Sequence, residues 1–368
     1  MKLDPLLLAF PLYSLLIAGE WALIRGRPRP AHRWEDLLAN IGAGLGQLAT
    51  DILLGLLYVV PYVWLLEHVA PARLPAGSPA TWVIVFVAVD FLFYWQHRVS
   101  HRVGLFWAAH VVHHQGEFYN LTLALRQPWF SAFVNWAYYL PLALIGVPIE
   151  VFLGSVGLNL FYQFFLHTRL IGRLGPLEWV LNTPSHHRVH HGRDDQYLDA
   201  NYGGVFVIWD RLFGTYRAET QEPDYGTVQP FRSWNPVWAN FEYFSVLRRK
   251  SRACTRLSDR VLAWLRPPEW WPPDVPHPRP EVAQAPRPGT ARCLYASLLT
   301  AEAMLASILL VLWKHRLGLA VELLGVAFVI CTLAGAGGLL DRRRWAGYLE
   351  GGRRLCTLAG LLLVVLVV

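Results

Sequence analysis

Ten of the chain's fourteen histidines fall between His97 and His191, all but one of them in two dense groups. His97 and His101 are four apart, and His110, His113 and His114 follow at i, i+3 and i+4. A second group, His186, His187, His190 and His191, repeats the H-x-x-H-H spacing, and His167 lies between the two. On a helix, residues three and four apart share a face, so each group is expected to aim its imidazole nitrogens at a common point. That is ligand geometry. Neutral imidazole suits iron, zinc, copper and nickel, so the histidines alone leave the metal open. Eight to ten imidazoles exceed one coordination sphere and fit a pair of metals with positions left open. H-E-x-x-H is absent, because Arg98, Val99 and Ser100 fill the first pair, and this removes the glutamate base of a zinc protease. His32, His68, His277 and His315 stand alone and read as ordinary structural or surface residues.

The elements that must position these histidines are membrane helices. Hydrophobic residues make up 54% of the 368 and charged residues 16%, with a mean hydropathy of +0.30, too apolar for an ordinary soluble domain. The expected fold is all-α, a polytopic membrane helical bundle with a cytosolic histidine-rich dimetal cap. The net charge of +7 is mostly arginine, and runs such as Arg342, Arg343 and Arg344 abut apolar segments, which marks headgroup anchors and not a nucleic-acid face. Cys254, Cys293, Cys331 and Cys356 show no paired spacing, so neither a disulfide framework nor a cysteine metal site is expected.

Four regions follow. Residues 1–79 hold N-terminal transmembrane helices, at 6–24 and 45–66; the first lacks a cleavage site and reads as a retained anchor. Residues 80–220 form the histidine-bearing catalytic domain, in which an apolar run at 80–95 continues as HRVSH, so that the first ligands sit just outside the bilayer. Runs at 129–147 and 149–165 make an apolar hairpin ending at His167. Residues 221–291 are expected to be a cytosolic proline-rich linker without a packed core. Residues 292–368 hold C-terminal transmembrane helices, the stretch 355–368 being short for a span of ~20 residues. Counting spans puts Arg25, Arg27, Arg29, Arg33, the arginines at 342–354 and both histidine groups on one side, the cytoplasmic one, with only Arg73 in the opposite 67–80 loop.

HRVSH, HVVHH and HHRVHH in this order, with NYGG at 201–204 and WDRLFGT at 209–215, resemble the membrane fatty acid hydroxylase and sterol desaturase superfamily. Within it, EFYNLTLALRQ at 117–127 and NTPSHHRVHHGRD at 182–194 are most similar to the alkylglycerol monooxygenases, which cleave ether lipids. The resemblance implies two iron ions held by His97, His101, His110, His113, His114, His187, His190 and His191, with His167 a further ligand. His186 matches a histidine of the alkylglycerol branch, and Asp90, Glu117, Asn120 and Asp210 match polar positions that could orient imidazoles. It also implies oxygen-dependent hydroxylation or desaturation of a lipid C–H bond. Next to an ether oxygen such hydroxylation gives a hemiacetal that falls apart to aldehyde and alcohol. A sterol-like substrate ranks second. The hairpin at 129–165 is the candidate wall of a lipid channel. No flavin, nicotinamide or haem motif is visible, so a separate electron donor is implied, whether ferredoxin, cytochrome or reduced pterin. One position departs from the alkylglycerol pattern: Arg102 stands directly after His101 where those enzymes carry a glutamate. The competing class is a non-catalytic metal carrier with histidines lining a path through the bilayer. It is disfavoured, because both groups follow the ends of apolar runs instead of lying inside them.

Overall fold

The computed structural model describes residues 5–26, 32–273, 275–276, 285–314 and 316–367. Arg27, Arg29, His277 and His315 lie outside them. The elements in order are α1 (Pro5–Ile24), α2 (Trp34–His68), α3 (Pro79–Arg102), α4 (Gly104–Ala108), α5 (Val111–His114), α6 (Ser131–Leu144) and α7 (Ile149–Phe164). They continue with α8 (Pro184–His190), α9 (Ile208–Leu212), α10 (Pro236–Ala253), α11 (Leu257–Leu265), α12 (Thr290–Trp313), α13 (Leu319–Leu340) and α14 (Arg344–Val367). Two 3-10 turns, Leu121–Leu125 and Gly175–Trp179, complete the cap, and no strand occurs among the described residues.

Helices α2, α3, α12 and α13 are long and apolar enough to cross a membrane, and α1 and α7 are shorter apolar helices. This is a multi-pass membrane protein. At ~1.5 Å per residue, α3 is longer than the ~30 Å apolar thickness of a bilayer, so part of it can lie outside the apolar core.

Two cores hold the bundle. In one, Tyr62 of α2, Val85 and Val89 of α3, Leu142 of α6 and Val151 of α7 pack together. In the other, small side chains let α2, α12 and α13 approach closely: Ala39 and Ala49 meet Ala296, Ala303 and Ala336, with Leu299 and Leu333 filling between. The glycines of IGAGLG in α2 make room for Pro236 of α10, the Leu125 carbonyl and Trp129. A Cβ on Gly46 would fall 2.0 Å from the ring of Trp129, whose indole nitrogen donates to the Ala43 carbonyl at 2.9 Å.

The stretch 221–291 departs from the expected linker. Asn235 caps α10, its side chain accepting from the Val237 and Trp238 amides at 2.9 and 3.1 Å, with Pro236 in the first turn. Ala239, Leu247 and Ala263 are then buried as α10 and α11 pack against α2, α4 and α13. Asp341, just after α13, accepts the Trp234 amide at 2.7 Å and the Ser233 hydroxyl, joining this segment to the end of the bundle that carries Arg342 and Arg343. The run from 355, expected to be short for a span, continues through 367 as the distal part of α14, which begins eleven residues earlier at Arg344. The opposite end is marked by the loop after α2, where the Leu74 amide donates to Gly146 in the α6–α7 turn at 2.8 Å.

Candidate metal centre

Nine of the ten clustered histidines converge, and they do so in two groups. His97, His101, His110, His114 and His190 form one, and His113, His167, His187 and His191 the other. Within each, one ring nitrogen per residue lies within 4.8 Å of all the others. The H-x-x-H-H motifs therefore do not aim at a common point each, as expected. His110 and His114 go to the first group and His113 to the second, whereas His187 and His191 go to the second and His190 to the first. Helix geometry gives the reason: at 3.6 residues per turn, i+4 lies about 40° from i, while i+3 lies about 60° to the other side. The groups are adjacent, the His114 and His191 rings stacking at 4.5 Å across the boundary.

Main-chain carbonyls set the rings. His97 Nδ1 donates to Tyr202 at 2.9 Å, His113 to Arg126 at 3.1 Å, His167 to Gln163 at 2.8 Å and His190 to Ala200 at 3.0 Å. A carbonyl only accepts, so Nδ1 carries the proton of each neutral ring and Nε2 is a bare lone pair. Burial holds the rings neutral: it pushes His113 down to about 4 and His110, His114, His167, His187, His190 and His191 well below the usual histidine range. His113 Nε2 nevertheless faces His167 Nε2 at 3.2 Å, two lone pairs with no proton to share. His101 Nε2, His190 Nε2 and His191 Nε2 are buried without a hydrogen-bond partner. Bare, neutral, mutually facing imidazole nitrogens are what a bound cation requires.

The carboxylates expected to orient imidazoles act one step further out. Asp90 accepts from the Val205 and Phe206 amides, the Trp209 indole and Asn159, at 2.6 to 3.1 Å. Asp210 accepts from the Tyr202 and Gly203 amides and Thr215 at 2.7 to 2.8 Å. Together they pinch the NYGG loop, whose Tyr202 carbonyl then meets His97. A Cβ on Gly203 would fall 2.9 Å from an Asp210 oxygen, and one on Gly204 2.7 Å from Asp90. Asn120 caps the turn Leu121–Leu125, accepting from Thr122 N at 2.9 Å. Glu117 is exposed. His186 joins neither group; it stands 4.0 Å from Glu178 and edge-on to Tyr216.

Sequence reading missed three side chains that support the centre. Asp199, held at φ 57°, lies 3.8 Å from His101 Nδ1 and pairs with Arg102, which also reaches Glu269 at 3.0 Å. Buried Arg126 donates to the Val112 carbonyl, Asn40 and Gln115. Glu20 of α1 accepts from the Leu121 amide at 2.6 Å and Thr168 at 2.5 Å. A buried acid inside an apolar helix was the available signal for Glu20. The hairpin expected to wall a lipid channel contributes only Leu160 to a cavity of about 960 Å³ between α1 and α2. Its α7 lines a smaller one of about 430 Å³ against Phe86.

Residues 82–215 match the fatty acid hydroxylase family profile. The alkylglycerol monooxygenase of Xenopus tropicalis is 34% identical over 92% of this chain and 76% of its own length, and that of Homo sapiens 34% over 95% and 79%. The ornithine lipid hydroxylase OlsE of Rhizobium tropici is 31% identical over 41% of this chain and 45% of its own. No solved structure matches. With its histidine groups able to hold metal and relatives aligned along nearly its whole length, this chain belongs to the fatty acid hydroxylase family of iron-dependent membrane oxygenases, alongside the alkylglycerol monooxygenases.

Proposed function

We propose that the chain is a lipid monooxygenase with two iron ions, one in each histidine group, acting on a long-chain ether lipid. The observation that carries the reading is the pair of imidazole groups with bare nitrogens turned toward one another. Bound iron would supply activation of molecular oxygen for attack on an unactivated C–H bond. The chain's own residues do the rest. Tyr202, Arg126, Gln163 and Ala200 fix the imidazole tautomers through their carbonyls, and burial keeps water and protons from the ring nitrogens. If the oxidised carbon bears the ether oxygen, the hydroxylated product is a hemiacetal that separates into aldehyde and alcohol.

Likeness to the alkylglycerol monooxygenases over most of the chain supports the ether lipid over a sterol-type substrate. Nothing favours a metal carrier, since the histidines cap the helices and line no path through them. Reducing equivalents come from a separate donor, a reduced pterin, ferredoxin or cytochrome, because the sequence carries no flavin, nicotinamide or haem motif. The Arg102–Asp199–Glu269 chain beside His101 is where an acidic or basic donor would sense this protein's departure from the family. The arginine asymmetry of the loops supports a cytoplasmic metal site.

The test is an oxygen-dependent assay on iron-loaded protein with a 1-alkylglycerol and a free fatty acid, each with several donors. Aldehyde from the alkylglycerol is expected. Hydroxylated fatty acid alone moves the chain to the general hydroxylase branch, and no oxidation of either by iron-loaded protein with any donor counts against the enzyme.

A further inference from the structure

The cavity of about 960 Å³ lies between α1, α2 and the turn Leu121–Leu125, at the upper end of the ~300–1,000 Å³ typical of ligand sites. Along α2 its lining runs from Trp34 to Asp51, about 25 Å at 1.5 Å per residue, most of the thickness of an apolar bilayer core. The wall is mainly apolar, with Trp21, Leu37 and Leu45 among its residues, and carries the polar side chains Ser14, Arg25, Gln47, Asp51 and Gln127. Gln47 and Asp51 are one helical turn apart and share a face. Gln127 lines the same cavity from the segment whose Leu125 carbonyl packs against Gly44, where a Cβ would stand 2.6 Å away. Its amide is fixed by donation to the Ala124 carbonyl at 2.8 Å.

Both walls are tied to the second histidine group. Between Leu125 and Gln127, which line the cavity, stands Arg126, whose carbonyl accepts from His113. Between Ala18 and Trp21, which line it from α1, stands Glu20, which holds the Leu121 amide and Thr168, the residue after His167.

We propose that this cavity is the substrate site, an alkyl chain lying along α1 and α2 and an uncharged, hydroxyl-bearing head held by Gln47, Asp51 and Gln127 beside the strap that carries the His113 acceptor. The proposal rests on the lipid-oxygenase reading and adds to it where the lipid lies and what recognises its head. Length and apolar wall select a single long chain. Amides and a carboxylate recognise hydroxyls, and beside Asp51 a phosphate head would meet like-charge repulsion, the cation of the lining, Arg25, standing just past the end of α1.

The experiment reads occupancy without turnover. Full-length protein carrying Ala18→Cys is treated with a lipid-soluble maleimide, and modification at residue 18 is followed by peptide mass spectrometry, which separates it from the native cysteines. The probes are 1-O-hexadecylglycerol and hexadecane. The ether diol is expected to slow modification at least about tenfold. Adding Asp51→Asn or Gln47→Leu should raise the concentration for half-protection roughly threefold to tenfold each, the range of one lost hydrogen bond, with hexadecane protection unchanged. Absence of protection in well-folded protein, or equal protection by the diol in all three backgrounds, overturns the proposal. Protection needs neither metal nor oxygen, so protection without aldehyde release counts against the oxygenase reading alone. Aldehyde release without protection counts against the cavity alone.

Discussion

Asp210 accepts the Tyr202 amide at 2.7 Å, and the carbonyl of Tyr202 accepts from His97 Nδ1 at 2.9 Å. A carboxylate on α9 thus aims an imidazole on α3 through a single residue of loop. Asp210→Ala strands two buried donors, Tyr202 N and Gly203 N, and leaves the half-buried Thr215 hydroxyl with Tyr94 alone, at a cost of about 2 kcal/mol or more. It should lower the melting temperature and the metal retained on dialysis together; a variant that melts and holds metal like the parent would remove the loop from the account.

Iron-supplemented expression should give close to two metals per chain by elemental analysis, one per histidine group. His113→Ala and His190→Ala each remove a ligand, and metal content and oxidation should fall by at least about tenfold. His186→Ala should keep both metals, since His186 stands with Glu178 and Tyr216 outside the groups, and exposed His68→Ala should change nothing. Loss of a metal in the His186 variant would return that residue to the ligand set.

Acid should strip and destabilise the centre. Burial lowers the His113 and His186 pKa to about 4, against about 6.5 in an unfolded chain. Between these values the unfolded state binds protons that the folded one refuses. Stability is therefore complete above pH ~6.5 and declines as pH falls toward 4, by about 1.4 kcal/mol per pH unit per group. Melting curves of metal-free protein across this window should show the decline. A flat profile between pH 6.5 and 4 would contradict the burial of neutral rings.

Opposite ends of the bundle should face opposite compartments. A cysteine in place of Arg73, in the loop joined to the α6–α7 turn, should react with an impermeant maleimide added outside intact cells, and one in place of Glu269, beside Arg102, should react only after lysis. The same accessibility at both positions would break the span count.

The apolar runs marked most of the helices, and the histidine motifs marked the residues that converge into two groups able to hold metal. What stayed hidden follows from chemistry without a residue signature. A main-chain carbonyl is present at every position, so nothing marked Tyr202, Arg126, Gln163 or Ala200 as acceptors. The search for an acceptor fell on Asp90 and Asp210, which hold the loop instead. Asp199 went unread because its reach to His101 depends on a left-handed backbone. The α10 start was legible in Asn235–Pro236, a cap followed by a first-turn proline, yet the prolines downstream dominated the reading of that stretch. The α1–α2 cavity depends on how two distant apolar helices stand apart, which hydropathy does not encode.

The crossed assignment of each H-x-x-H-H motif makes the two sites interlocked. α5 and α8 each serve both groups, so a helix locked by an ion in one site arrives with its remaining imidazole already aimed at the other, and the ordering entropy of the second site is largely spent by the first. Metal uptake should be cooperative, with little singly loaded protein at equilibrium. The same interlock means that a backbone shift in either motif disturbs both sites, whereas loss of a single imidazole, such as His167, removes a ligand from one group alone.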